Sequence, residues 1–320
     1  MSIANFRYSK ELAFAMGTLF LFSLMLIIRS TYLQHVMIML LQTITLAVSF
    51  RFITLSGQWT FAHCTMMGVG AYTSAILSTK LGYPVWVTWL TGIVMTCLTA
   101  CLLGLLIVRT RHVYFFFATW AFAYVVEITW KKLWFPFGGH DGIRYIPKPG
   151  LWFNSEAHYY YLILGITLAS LWVLYKLEKS RFGRTLVCIN ENEDLAKSIG
   201  FNAFKFRMLA FIIGSAFAGL MGGFYAHYAG FIGPADFDWM LNWFIVIYIV
   251  SGGTRTILGS IIGTLIFVPV MQILAAYRNY ITIAIGLYTI FIIMVATDGI
   301  EGLIWRLRHP GEVGTSHGLR

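Results

Sequence analysis

Residues 81–108 read LGYPVWVTWLTGIVMTCLTACLLGLLIV, 28 consecutive positions without an Asp, Glu, Lys or Arg. A helix rises about 1.5 Å per residue, so this run is longer than the hydrocarbon core of a bilayer, ~30 Å, requires. Working outward, six more windows lack charge: Leu12 to Ile28, Phe52 to Thr79, Ala157 to Tyr175, Met208 to Ala235, Thr256 to Tyr277 and Asn279 to Thr297. Of the 320 residues, 58% are hydrophobic and 11% charged, a balance that excludes a soluble globular domain. A spanning barrel would show short alternating segments instead of continuous runs, because lipid leaves only helices and closed barrels able to satisfy their own backbone. The fold class predicted is therefore all-α, a polytopic integral membrane helical bundle. Its helices are placed near 12–28, 33–50, 60–79, 84–108, 113–131, 157–176, 206–230, 239–254, 257–277 and 280–298.

The first apolar run follows Arg7 and Lys10 but is long and lacks a small-residue cleavage site, so it is read as a retained helix. With the N-terminus in the cytoplasm, 16 of the 23 Lys and Arg residues fall inside and seven outside. That bias has the sign of the positive-inside rule, so the net charge of +10 is a topology signal and not a nucleic-acid footprint. The C-terminus is then cytoplasmic too. Cys64, Cys97, Cys101 and Cys188 imply no disulfide or zinc framework, and Cys97 with Cys101 is read as packing.

Two connections are longer than turns. Lys131 to Glu156 is rich in Gly and Pro, faces outward, and its Gly138, Gly139, Asp141 and Gly142 are candidates for a mouth or gate. Glu178 to Arg207 is the most polar stretch and is expected to be cytoplasmic. Within it, Glu191 to Ile199 suits a short amphipathic helix with acids in its early turns and Gly200 as a stop. So short a helix is marginal unless it docks on something, and a connecting loop accounts for the same periodicity. The chain is read as one permease domain, 1–305, with 178–207 as its cytoplasmic segment and 306–320 as a polar tail.

Polar groups within apolar helices are candidates for a solute pathway, since lipid is a costly place to leave them. Gln58 and His63 come first, flanked by Gly57 and Gly68, which can break a helix; Glu127 has Lys131 four residues on as a ready partner. Gly219 with Gly223 and Gly259 with Gly263 have helix-packing spacing. His227 and Tyr228 read as an interfacial belt, and Asp236 and Asp238 as solvated. No catalytic constellation and no metal-ligand cluster is found, so the chain is not expected to be an enzyme.

Asp194, Leu195, Ala196 and Gly200 resemble the Glu-Ala-Ala...Gly coupling loop of ABC importer permeases, with Asp for Glu. Ser180 to Arg184 (Ser-Arg-Phe-Gly-Arg), Ile189 and Glu191 to Glu193 are similar to the corresponding loop of LivM-type permeases, which import branched-chain amino acids and related amides. Gly57, Gln58, His63, Gly68, Gly70, Ala71 and Tyr72 resemble an early helix of that family, and Tyr114, Phe115, Ala118, Thr119, Ala121 and Phe122 the helix after it. Gly138 to Gly142, Tyr225 to Pro234 and the Gly252 to Gly263 glycines follow in the same order. Departures sit at Trp59, Thr60 and Phe61, at Ser260, and at Asn242 where an acid is frequent.

The resemblance implies half of the translocation pathway of an importer working by alternating access in the bacterial inner membrane. Its partners would be a homologous second permease, two cytoplasmic ATPases and an extracytoplasmic solute-binding protein. It further implies that Arg184, Glu191, Glu193, Asp194, Ala196 and Gly200 contact the ATPases. No Gly-x-x-x-x-Gly-Lys-Ser/Thr loop occurs in the chain, so no cofactor is expected on it, and ATP and Mg belong to the partners. The alternative is an ion-coupled secondary transporter working without an ATPase.

Overall fold

The computed structural model describes residues 30–110, 112–150, 156–274, 286–290 and 299–302, with residues 17 and 283. The helix expected at 12–28, most of the one at 280–298 and the tail 306–320 lie outside the described residues. The described residues group into two compact units, Thr31–Ile245 and the part from Val246 onward.

The larger unit is built from α1 (Thr31–Thr54), α2 (His63–Lys80), α3 (Val85–Ile107), α4 (His112–Lys132) and α5 (Glu156–Lys179). Two short helices follow, α6 (Arg181–Glu191) and α7 (Glu193–Ser198), then the long α8 (Ala203–Ala229) and the start of α9 (Trp239–Gly252). The only sheet among the described residues is an antiparallel pair, β1 (Ile143–Arg144) on β2 (Phe231–Ile232), with Ile143 opposite Ile232.

Among the described residues five helices, α1, α3, α4, α5 and α8, are long and apolar enough to cross a membrane, and a bent pair makes a sixth. This is a polytopic helical membrane protein. Of the most apolar part of each helix, 83% is buried in α1 but only 28% in α3, so α1 is enclosed nearly all round whereas α3 packs on one face and leaves the other open. The outer stripe of α3 carries Leu90, Val94, Leu98, Leu102, Leu105 and Leu106, all exposed. Such a stripe is a liability in water but is what lipid solvates.

The centre is held by close backbone approach. A Cβ on Gly70 of α2 would strike the Gly219 main chain of α8, and one on Gly222 would strike the Met67 carbonyl of α2. Thr96 and Trp89 of α3 fill the space over Gly219 and Gly223, with the Trp89 indole donating to the Leu220 carbonyl at 2.6 Å. Small residues thus gather α2, α3 and α8 into one packed core.

In the smaller unit α10 (Ile257–Leu274) folds back on the end of α9 after a break, the two helices meeting at a bend of 116°. Gly259 and Gly263 lie against the Gly252 main chain and the Tyr248 carbonyl, so both expected packing pairs of glycines serve close contact. Phe267 packs on Tyr248 and Tyr288, with centroids 5.0 and 4.5 Å apart, and a Glu301 carboxylate oxygen accepts the Thr256 N–H at 3.2 Å.

Candidate functional site

The break between α1 and α2 is the first element of the site. α1 tightens at its end, with Ser56 N–H donating to Ile53 and Gly57 N–H to Thr54, and Gly57 takes φ +80°. Residues 58–62 are not helical although buried, a state tolerated at membrane depth only where protein satisfies the backbone. Phe61 and the side chains and first residues that flank it are tied to four neighbouring elements. Phe61 N–H donates to Thr119 Oγ1 of α4 at 2.9 Å and Cys64 N–H to Asn242 Oδ1 of α9 at 2.9 Å. Gln58 Nε2 donates to the Val108 carbonyl past α3 at 3.2 Å. His63 Nε2 lies 3.0 Å from Ser49 Oγ of α1.

Ser49 has one hydroxyl proton, and the Leu46 carbonyl, 3.0 Å away, accepts it. His63 Nε2 therefore donates to Ser49, and Nδ1 is left as a bare acceptor. That Nδ1 is fully buried and unpartnered, as are Gln58 Oε1, Thr65 Oγ1 and Asn242 Nδ2. Unpartnered buried polar atoms are uncommon in folded proteins, and four of them fall along 58–65 and at Asn242, which bonds the start of α2. Gln58 and His63 are thus brought together on one break. Glu127 is not with them: it lies eight residues, ~12 Å, along α4 from Thr119. It pairs with Lys131, and its second oxygen is buried without a partner.

The second element is the 178–207 segment, which is folded and not a loop. Ser180 caps α6 through the Phe182 and Gly183 amides, Asn192 caps α7 through Leu195, and Asn202 caps α8 through Lys205. Each such cap stabilises by about 1 kcal/mol. Ile189, Ala196 and Ala203 form a small core with Cys188, Phe201 and Phe206 against it. The short helix starts at Glu193, two residues later than the sequence predicted, because residues 181–191 form a helix of their own and Glu191 ends it. Gly200 takes φ +93° beyond it.

Of the residues expected to contact a partner, Arg184, Glu191 and Asp194 are exposed and Ala196 is buried in that small core. Arg184 reaches the Lys179 carbonyl at 3.2 Å. Glu193 turns inward. Its carboxylate holds Lys197 at 2.7 Å and Arg207 at 2.9 Å. Partial burial works against its charge, but these hydrogen bonds and attractions outweigh that and hold the carboxyl below its ordinary range. Glu193, Lys197, Gly200 and Arg207, with Val108 and Arg109, line a cavity of about 470 Å³.

Two features of this end were not foreseen. Leu195 of α7 and Ile199, four residues on at its C-cap, are 57% and 61% exposed. Arg51, counted above as a topology charge, is 1% exposed and grips Glu178 with both guanidinium arms, at 2.7 and 3.2 Å.

The opposite end of the unit holds the glycine-rich loop. Gly138, Gly139 and Gly142 have φ of +83°, +59° and +64°, and Asp141 is exposed. The loop is strapped to the end of α8 by the β1–β2 pair and by Ile146 N–H donating to Gly230. His227 and Tyr228 are no interfacial belt. His227 is buried: Nδ1 donates to the Pro147 carbonyl at 2.7 Å, which leaves Nε2 to accept from Ser74 at 2.8 Å. Tyr228 donates to Glu156 at 2.8 Å and lies 2.7 Å from His35 Nδ1. Asp236 and Asp238 are turn caps, accepting from Gly233 and Leu241 amides. The long-range partners of His227 and Tyr228 had no local signal in the sequence.

Residues 32–297 match a family model described as the branched-chain amino acid transport system permease component. The chain is similar to the high-affinity branched-chain amino acid transport system permease protein LivM of Escherichia coli K12, at 26% identity over 258 residues. That match covers 72% of this chain and 61% of the relative, as does a 26% match to LivM of Salmonella typhimurium. A probable branched-chain amino acid transport permease protein LivM of Methanocaldococcus jannaschii is 31% identical over 115 residues, 35% of this chain and 33% of that one. The chain thus spans about three fifths of the length of the two enterobacterial relatives. No solved structure matches it.

Proposed function

We propose, for a chain that belongs to the branched-chain amino acid transport permease family, that it forms half of the solute pathway of an ATP-driven importer in the bacterial inner membrane. The solute is a small polar molecule, a branched-chain amino acid or a related amide or amino acid. The pathway runs by the α1–α2 break, where Gln58 and His63 offer unpartnered buried acceptors, with Glu127 further along and the Gly138–Gly142 loop shaping the outer mouth. The 178–207 segment faces the cytoplasm and meets the ATPases, and both termini lie on that side. The reading is transport and not catalysis.

The observation that carries this reading is α7. A six-residue helix and the residue that ends it hold two large apolar side chains, Leu195 and Ile199, away from the protein, while caps and the Glu193 pairs fix the base. An apolar pair on a rigid mount, beside exposed Glu191 and Asp194, has the form of a docking knob for another protein. ATP and its Mg are then handled by partner subunits, because the chain has no phosphate-binding loop. A homologous second permease completes the pathway, and an extracytoplasmic solute-binding protein delivers to the 138–146 end.

The test is to tag the chain, solubilise native membranes in mild detergent and identify what co-purifies by mass spectrometry. A second permease and ATPases carrying phosphate-binding loops are expected. A chain that purifies alone yet transports in ATP-free liposomes refutes the proposal in favour of ion-coupled transport.

A further inference from the structure

Arg207 stands where the two elements of the site meet. It is the fifth residue of α8 and only 5% exposed. Its Nη1 donates to Glu193 Oε2 of α7 at 2.9 Å, and its Nε donates to the Ser56 carbonyl at 3.3 Å. Ser56 is the residue before Gly57, where the chain leaves α1 and enters the non-helical 58–62 stretch. One guanidinium thus bonds both the α7 mount and the break that carries Gln58 and His63. A second contact runs in parallel: a Cβ on Gly57 would meet the Asn190 side chain of α6, so the turn rests directly on the 178–207 segment.

The mechanics of the two sides differ. The α7 side is stiff, because Glu193 is held from a second direction by Lys197 and Asn192 caps the helix. The break is the softer of the two along the chain, because residues 58–62 have no helical ladder and are tied to neighbouring elements by Phe61 N–H on Thr119 and by the Gln58 side chain on the Val108 carbonyl. A displacement applied to a stiff element bonded to a soft one is taken up by the soft one. Arg suits this place where Lys does not: its planar fork holds several donors in fixed geometry, so two acceptors on different elements are engaged at once.

We propose that Arg207 is the positioning residue that transmits ATPase motion to the solute pathway: movement of α7 pulls through Glu193 and Arg207 on the Ser56 carbonyl and re-sets the 55–63 break. This rests on the docking role given to α7 above. Neither Arg207 nor Ser56 touches the solute; Arg207 acts through the break.

The experiment uses the complete importer, with its ATPases and binding protein, in nanodiscs and proteoliposomes. In the wild-type complex, amide hydrogen exchange at 55–62 should change together with 193–200 when ATP and vanadate trap the ATPases. Exchange that changes at 193–200 and not at 55–62 overturns the proposal. R207K keeps the charge and a bond to Glu193 but loses the second donor. It should assemble, keep basal ATP hydrolysis and the solute KM, and lose about tenfold in leucine imported per ATP.

The double swap R207E/E193R restores the ion pair without any donor to Ser56. Import should stay low in it, whereas full recovery would make the pair merely structural and the proposal wrong. Failure of wild-type complex to bind ATPases at all would instead refute the importer reading. Absence of leucine import would refute only the choice of solute, since the exchange measurement requires nucleotide alone.

Discussion

At one end of the larger unit, Gly138 to Ile146 is held by main-chain atoms: a β1–β2 pair, the Ile146–Gly230 bond, and glycines in conformations closed to other residues. At the other end, 178–207 is held by side chains: Arg51 on Glu178, Arg207 and Lys197 on Glu193, and three Ser or Asn caps. A backbone-held strap has one arrangement and no charge to reset. A side-chain-held knot ties separate helices to one another while each keeps its own backbone ladder, so that they can move as linked bodies. The second construction suits the motion-receiving role proposed for 178–207, the first the outer mouth proposed for 138–142.

The largest effect is expected from breaking the knot at its most buried pair. R51A leaves Glu178, with 13% of its side chain exposed, without its principal cation. Removing one partner of a buried pair costs about 3–5 kcal/mol, which should show as a large fall in thermal stability in detergent. R51M/E178L removes both charges and should recover most of the loss. If it does not, that end is held by shape and the contrast drawn above fails.

Next is the strap. Gly142 combines φ +64° with ψ −163°, a region essentially reserved for glycine, and a Cβ there would strike the Ile232 carbonyl. G142A should cost about 1–3 kcal/mol and release β1 from β2, read as loss of amide protection across the Ile143–Ile232 and Arg144–Phe231 pairs. D141A, at an exposed neighbour, should change neither. Equal effects of the two substitutions would mean that side chains hold this loop as well.

The strap's glycines were visible in the sequence because a positive φ leaves a compositional mark, whereas the knot's partners were not. The helices within lipid were equally legible: 84–108 was expected against Val85–Ile107, 113–131 against His112–Lys132, and 157–176 against Glu156–Lys179. There hydropathy alone sets the boundaries. It gave the α1–α2 break only coarsely, since α1 runs on to Thr54 and α2 waits until His63. Where that break falls is decided by bonds from Thr119 and Asn242, 58 and 178 residues away from their partners. Arg51 was counted only as a charge on the inner side, because Glu178 is 127 positions distant. His227 looked interfacial because Ser74 and Pro147 are equally remote. The helix 181–191 was missed because its polar face resembles a loop until α8 covers its other side.

The smallest effect separates the two ends by pH. Glu193 has a carboxyl held below its ordinary range by Lys197 and Arg207. A group whose folded pKa is depressed contributes stability that is fully present above its unfolded value, about 4.3 for Glu, and lost as pH falls through the folded one. Lowering pH from 7 to about 5 should therefore leave the knot unchanged, and only below about 4 should it loosen. The expected readout is faster exchange at 193–200, corrected for intrinsic rates, with no matching change at 138–146, whose bonds involve no titrating group. E193Q should already be loosened at neutral pH, by on the order of 1 kcal/mol, and should lose the acid response. Parallel loosening of both ends in acid would instead trace to a change shared by the whole unit, and Glu193 would then not be what ties α7 to α8.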